Sequence, residues 1–409
     1  MGNRRWIILC IAVVSQIASV GALFGVPFVL PALREEFGLS IAQAGTLAGL
    51  PALGLLTTLF GWGVVIDRYG ERFTMAVSLA LTAGCLALLG TADGVFGAGA
   101  VLVCVGASGG PVNAAGGRLV MSWFEVRRRG LAMGIRQTAQ PLGIGGSAAL
   151  MPLVAERWGF VAAMTLPAVL AVGMVPLVLV FARPPRTADS APDGGAEAGS
   201  SPTHRDSLAE TTARSPYRHA VIWRVHGASM LLGVPQFSVM TYALVYLVSE
   251  HGWSAPSAGA AVAVTQACGA MSRMVLGVVS DRMGNRLRPV RVLALLSAAA
   301  LLLLSLSPAL VPEASVPLLL ACLVLAVSHN GLTFTAVAET AGMAWSGRAM
   351  AAQNSLQALS NTLTPVLMGV VITWLGIDAI YAAAALFCAA AAAVVPAGAR
   401  ARGVCRHSR

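Results

Sequence analysis

Lysine is absent from the 409 residues, so all 27 basic side chains are arginine, and charged residues of both signs make up only 11% of the chain. A soluble domain carries roughly 25% charged residues; here apolar types fill the deficit and reach 57%. The seven cysteines contain no C-x-x-C pair: Cys10, Cys85, Cys104, Cys268, Cys322 and Cys388 lie inside apolar runs, and Cys405 stands alone near the end. That spacing indicates neither a zinc site nor a disulfide framework, and no metal or other cofactor is expected. H-E-x-x-H and P-loop motifs are also missing, which argues against a membrane-embedded enzyme. The net charge of +10 does not point to nucleic acid, because the arginines sit in short runs between apolar segments rather than on one basic face.

What the chain has instead is apolar length. A hydrocarbon core about 30 Å thick needs roughly 20 apolar residues per helix, and twelve such segments can be placed: about 6-32, 41-66, 73-91, 95-123, 131-155, 160-182, 221-249, 256-280, 290-311, 315-339, 349-374 and 377-397. The opening MGNRRWIILCIAVV has arginines before an apolar stretch, as a signal peptide does, but the run continues to about Leu33 and eleven more follow, so it reads as an uncleaved first span. The expectation is an all-α integral membrane protein of twelve transmembrane helices in two pseudo-symmetric six-helix bundles, 1-182 and 221-397. Between them, 183-220 is rich in Pro, Gly, Ser and charge and reads as a disordered linker; 398-409 is a basic tail. Of the 27 arginines, 22 fall on the side of the termini and linker and only Arg34 and Arg157 on the other. By the positive-inside rule both termini are expected in the cytoplasm, in a multi-pass protein of the cell membrane.

Polar residues are concentrated in particular spans. Spans 3, 6, 9 and 12 carry little beyond Ser and Thr, whereas spans 1, 5, 7, 8, 10 and 11 hold Gln16, Arg136 with Gln137 and Gln140, Gln236 with Tyr242 and Tyr246, Gln266 with Arg273, His329 with Asn330, and Asn354 with Gln357 and Asn361. A polar side chain facing lipid is costly. Every third helix is therefore expected to face lipid while the rest surround a cavity.

One charged phrase occurs twice, GVVIDRYGER at 63 to 72 and GVVSDRMGNR at 277 to 286, each directly after an apolar run. Both resemble the G-x-x-x-D-R-x-G-R-R signature of the major facilitator superfamily, found after helix 2 and again after helix 8. Glu71 and Asn285 replace the penultimate Arg of that pattern. The resemblance implies a secondary transporter working by alternating access, with Gly63, Asp67, Arg68, Gly70, Arg72, Gly277, Asp281, Arg282 and Gly284 forming the gate. Gly63 and Gly277 would let helix ends pack closely, and Asp67 and Asp281 would rest against the N-termini of spans 11 and 5. Aligning SGGPVNAAGGR with HNGLTFTAVAE puts Arg118 and Glu339 at equivalent positions of spans 4 and 10, where they could pair across the cytoplasmic mouth.

For the cargo, Arg273 lies eight residues before Asp281, about 12 Å into the membrane, and Arg136 about 10 Å in. An arginine at such depth is expensive and usually functional. Two guanidiniums facing one another would hold a carboxylate; snorkelling or local carbonyl pairing is the structural alternative. GAMSRMVLGVVSDRMG resembles helix 8 of organic-anion carriers of the superfamily, and WFEVRRRGLAMG resembles a segment shared by several of them. The expected substrate-binding set is Arg273, Arg136, Gln137, Gln140, Gln236, Gln266, Asn330, Asn354 and Gln357. Glu339 and His329 are the candidates for a coupling-proton relay. Arg127, Arg128 and Arg129 read as topology and lipid contacts. The partners expected are thus a small organic solute, the bilayer and a coupling proton, in a monomer, by symport or antiport. The other readings are a drug or antibiotic efflux antiporter, against which span 1 lacks an acidic residue, and a transporter-like sensor, for which 183-220 is too short and polar to fold as a domain.

Overall fold

The computed structural model describes residues 2–124, 132, 135–183, 215–342 and 345–396. All elements among them are helical: α1 (Gly2–Phe24), α2 (Leu30–Phe37), α3 (Ile41–Leu88), α4 (Gly94–Gly109), α5 (Pro111–Trp123), α6 (Ala139–Phe181), α7 (Ala220–Ser249), α8 (Ala255–Met283), α9 (Leu287–Leu310), α10 (Ser315–Ser328), α11 (Asn330–Ala341), α12 (Ser346–Leu375) and α13 (Ala379–Val394). Ten helical stretches are long and apolar enough to cross a bilayer. The Ile135–Phe181 stretch reverses at Gly159 (φ 81°) and so supplies two crossings, and the shorter Ala379–Val394 completes twelve. Most of the expected linker, the basic tail and Arg127, Arg128 and Arg129 lie outside the described residues.

The helix boundaries follow local chemistry. Ser40 and Gln43 form a reciprocal capping box that starts α3, and at the corresponding helix of the other half Ser254 caps α8 with one bond, its Oγ accepting from the Ser257 backbone N–H. The phrase at 63 to 72 joins two helices: within the 41–88 range the helical course breaks and reverses at Gly70 (φ 78°), a backbone conformation that glycine adopts without steric cost. Gly284 (φ 58°) instead ends α8 outright.

Between helices in lipid, apolar burial gives no net drive, so close backbone approach and polar bonds hold the bundle together. Spans 2 and 4 illustrate both. A Cβ on Gly54 would land on the Val103 carbonyl, and one on Gly106 would land on the Pro51 carbonyl. Pro111 has no N–H, so the carbonyl four residues earlier, Ala107, loses its helical donor. Thr58 Oγ1 (3.0 Å) and Trp62 Nε1 (2.7 Å) donate to it instead and tie α3 to α4. Each half also has its own apolar core, around Met75, Leu79 and Leu102 in the first and around Tyr246, Leu304 and Tyr381 in the second.

Candidate functional site: a cavity between the halves

Among the described residues, close contacts between the two halves lie at one face. On the face opposite the DR phrases, Gly45 lies against the Tyr242 hydroxyl, which donates to the Pro365 carbonyl at 3.0 Å. Gly49 faces Pro365 Cγ, Gly369 faces the Ala42 carbonyl, and Gly259 faces the Ala148 carbonyl. At the arginine-rich face Gly61, Gly63 and Gly277 have nothing within 4 Å of where a Cβ would stand. The close packing expected of Gly63 and Gly277 is therefore not made in this arrangement.

The paired aspartates also behave differently from expectation. Asp67 and Asp281 are largely exposed, 73% and 62%, and each bonds an arginine of its own half, Asp67 to Arg118 and Asp281 to Arg286. Arg118 also bonds Glu71 at 3.0 Å, and Arg286 bonds Glu339 at 3.1 Å. The pair expected across the mouth, Arg118 with Glu339, is replaced by two separate clamps. Burial works to lower the Arg286 pKa, but its bonds to Asp281 and Glu339 outweigh that and hold it above the ordinary value. Arg68 is exposed beside the Tyr69 ring (5.6 Å), Arg282 is exposed, and Arg72 keeps a buried Nε with no partner.

Between the halves lies a cavity of about 610 Å³, open solvent included. Its walls come from both halves: Leu23 and Phe24 at the end of α1 with Pro27 just after it, Ala48 and Ala52 on α3, Gln140 and Ile144 on α6, then Gln236, Phe237, Met240 and Thr241 on α7, Arg273 on α8, Val327 on α10, and Asn361 and Pro365 on α12. Phe24 and Phe237 stack across the seam at 6.5 Å. Arg273 is the one charged side chain in this lining, and its Nε donates to the Val327 carbonyl at 2.8 Å, where α10 breaks off before α11. Carbonyls near a helix C-terminus are favourable partners for a cation.

Arg136 is placed elsewhere. It is buried inside the first half, where Nη1 donates to Gln16 Oε1 at 2.6 Å and to Asn113 Oδ1 at 3.0 Å, and the bare backbone of Gly117 makes room for the guanidinium. It does not face Arg273 across the cavity. Of the amides, Gln140 and Gln236 line the cavity, and Asn330 supports Gln236 from behind by donating to its Oε1 at 3.1 Å while accepting from Gln357 at 3.3 Å. Gln266 is buried against Met240, and Gln137 and Asn354 are exposed. His329 is buried in the second half beside a small void lined by Ser297, Cys322 and Cys388, and Glu339 is held in its surface clamp, so neither candidate relay group lines the cavity. GASGG at 106 to 110 has the G-x-S-x-G spacing of a hydrolase nucleophile, yet Ser108 lies within α4 and bonds the Val105 carbonyl and Thr82. Its role there is helix packing.

Twelve crossings in two halves around a shared cavity are the build of a membrane carrier. The chain belongs to the Major Facilitator Superfamily, whose profile matches residues 9–365. It is 39% identical over 396 residues, 96% of this chain and 85% of the relative, to an uncharacterized MFS-type transporter of Mycobacterium tuberculosis. A 192-residue stretch, 44% of this chain and 41% of the relative, is 27% identical to a probable L-galactonate transporter of Escherichia coli K12. Among solved structures, a bacterial homologue of the human lysosomal transporter Spinster, inward-facing and unoccupied, superposes with a TM-score of 0.74 at 15% identity over 99% of this chain and 98% of that one. A D-xylose–proton symporter superposes with a TM-score of 0.69 at 15% identity over 94% and 97%. The protein is thus a multi-pass membrane transporter and not an enzyme.

Proposed function

We propose that this carrier moves a small organic anion bearing a single carboxylate and an apolar body. The observation that supports it is the lining charge: Arg273 is unopposed by any acidic side chain among the described cavity residues. A cation or zwitterion would bring its positive charge against that guanidinium. A monocarboxylate would neutralise it, with hydrogen bonds to the charged group worth about 1.5–3 kcal/mol each. The Gln140, Gln236 and Asn361 amides offer donors and acceptors to substrate hydroxyl or carbonyl groups, and the Phe24–Phe237 pair offers an apolar wall. The name of the partial relative, a probable L-galactonate transporter, supports the carboxylate but not the apolar body. The two-arginine clamp expected from the sequence reduces to Arg273, with Arg136 shaping the first half behind the cavity.

In the orientation that the arginine distribution favours, the DR phrases and both termini face the cytoplasm of the cell membrane. The test is thermal stabilisation of the purified protein by a panel of monocarboxylates, their amides and cationic drugs, followed by flux in proteoliposomes. Stabilisation by carboxylates, absent with their amides and lost in Arg273→Gln, is the expected result. Stabilisation by cationic drugs alone would replace this reading with drug efflux.

A further inference from the structure

The amides of the cavity are not equivalent. Gln236 gives its Oε1 to Asn330 and leaves its N–H groups uncommitted, and Gln140 is partly exposed. Asn361 on α12 lines the same space at 9% exposure, and its Oδ1 is buried with no donor. Buried polar atoms without a partner are few in folded proteins, and each calls for an explanation.

A second, independent observation falls on the same residue. Pro365, also in the lining, sits inside α12 and has no N–H, so the Asn361 carbonyl four residues earlier lacks its helical donor. Under Pro111 the same defect is repaired, because Thr58 and Trp62 donate to the Ala107 carbonyl. At Asn361 no described side chain fills that place, and Thr364, three residues on, buries its own hydroxyl without a partner. One residue of the cavity wall thus carries two acceptors, Oδ1 and the carbonyl, and no donor bonds either of them.

We propose that Asn361 reads a hydroxyl group of the cargo, so that the transported anion is a hydroxylated monocarboxylate. The inference rests on the carboxylate reading of Arg273 given above and adds a second anchor to it. Arg273 and Gln236 offer donors, which suit the oxygens of a carboxylate. Asn361 needs the opposite, a donor, and a carboxylate, a ketone or an ether has none. A hydroxyl has one. An ammonium group is also a donor, but among the described lining residues no acid balances its charge and Arg273 opposes it. The unbonded carboxamide is free to turn about its final torsion, which is broad in asparagine, and so to bring Oδ1 to a hydroxyl in the cavity. Because Oδ1 is shielded from solvent and bonded to nothing, the new bond relieves an unmet acceptor instead of exchanging one partner for another.

The test compares related acids on one protein, so that effects on folding cancel. Equilibrium binding to the purified full-length carrier is measured for butanoate and phenylpropanoate, each with its hydroxy isomers and the matching oxo and amino acids. For one position of the hydroxyl, the hydroxy acid should bind the parent about tenfold tighter, or more, than its deoxy and oxo counterparts, the equivalent of one hydrogen bond. In Asn361→Leu that ratio should fall to about one, while the deoxy acid binds as it does to the parent. Arg273→Gln should lose the hydroxy and deoxy acids together. Without ligand, Asn361→Leu should melt no lower than the parent, since the amide oxygen has no bond to lose. Hydroxy, oxo and deoxy acids that bind the parent alike would overturn this inference and leave the carboxylate reading standing. So would a tenfold ratio that survives in Asn361→Leu, or tighter binding of the amino acid than of the hydroxy acid. If no monocarboxylate binds, both readings fail.

Discussion

Arg118 and Glu339 occupy equivalent positions in the two halves, carry opposite charges, and each bonds inside its own half to the repeated DR phrase: Arg118 to Asp67 and Glu71, Glu339 to Arg286. The clamps are charge-reversed copies. In the first half the arginine comes from α5 and the second acid from the phrase; in the second half the acid comes from α11 and the arginine from the phrase. By alignment of the phrases, Arg286 corresponds to Arg72 and Asn285 to Glu71. Arg72 already lies in the first half with its buried Nε unpartnered.

That correspondence gives the first prediction. Arg118→Glu alone sets three carboxylates together and should destabilise the clamp. Adding Glu71→Asn recreates the second half's arrangement, with native Arg72 bridging Asp67 and the new carboxylate, and should restore it. Arg118 is 48% exposed, so the stability at stake is no more than about 1 kcal/mol. The sensitive readout is the open-to-closed population, which that energy shifts about fivefold. A double variant no better than the single one would refute the equivalence.

Glycine positions separate conformational from folding effects. Pro152 deprives the Ala148 carbonyl of its helical donor, and Gly259 of the other half lies directly against that oxygen. Gly259→Ala should push the halves apart at this face at an overpacking cost of about 1–3 kcal/mol. Distances between spin labels on the two halves would then lengthen while each half stays folded. Gly61→Ala, with nothing within 4 Å, should leave those distances and melting unchanged.

Asn330 tests whether a residue behind the wall sets the wall. It holds Gln236 and is held by Gln357, yet it does not line the cavity. Asn330→Ala should free the Gln236 amide and weaken binding of a stabilising carboxylate about tenfold, the equivalent of one lost neutral hydrogen bond of about 1 kcal/mol or slightly more. Gln137→Ala, an exposed neighbour of Arg136, should have no effect. Titrating the carboxylate's thermal shift on each variant decides between them.

How far the sequence reached depends on which forces a string of residues encodes. Twelve apolar runs and the duplicated phrase carry the fold, because crossing a bilayer demands length and composition that can be counted. Carbonyls freed by proline were also legible in principle: Pro111 implies an orphan at Ala107 before any neighbour is known. Arg273 was identified as a deep charge from its spacing to Asp281, and it does line the cavity. Arg136 has the same depth and the same chemistry, but whether a guanidinium faces the seam or its own half depends on helix rotation. Only the packing of Gln16, Asn113 and Gly117 decides that.

Arg136 supplies the last prediction. It is 6% exposed and has neutral partners only, with Gln16 Oε1 the nearest acceptor at 2.6 Å. A buried charge that loses an acceptor cannot turn to water, so Gln16→Leu should cost about 1.5–3 kcal/mol. Replacing the charge as well, in Gln16→Leu with Arg136→Met, removes both halves of the problem and leaves an apolar contact of similar volume, which is commonly neutral or stabilising. The double variant should therefore melt higher than Gln16→Leu, with a coupling of 1 kcal/mol or more in the cycle, roughly the range for residues in direct contact. If Arg136 turned toward the cavity and the Gln16 bond were incidental, the two substitutions would add without coupling, and the single Gln16→Leu would melt like the parent.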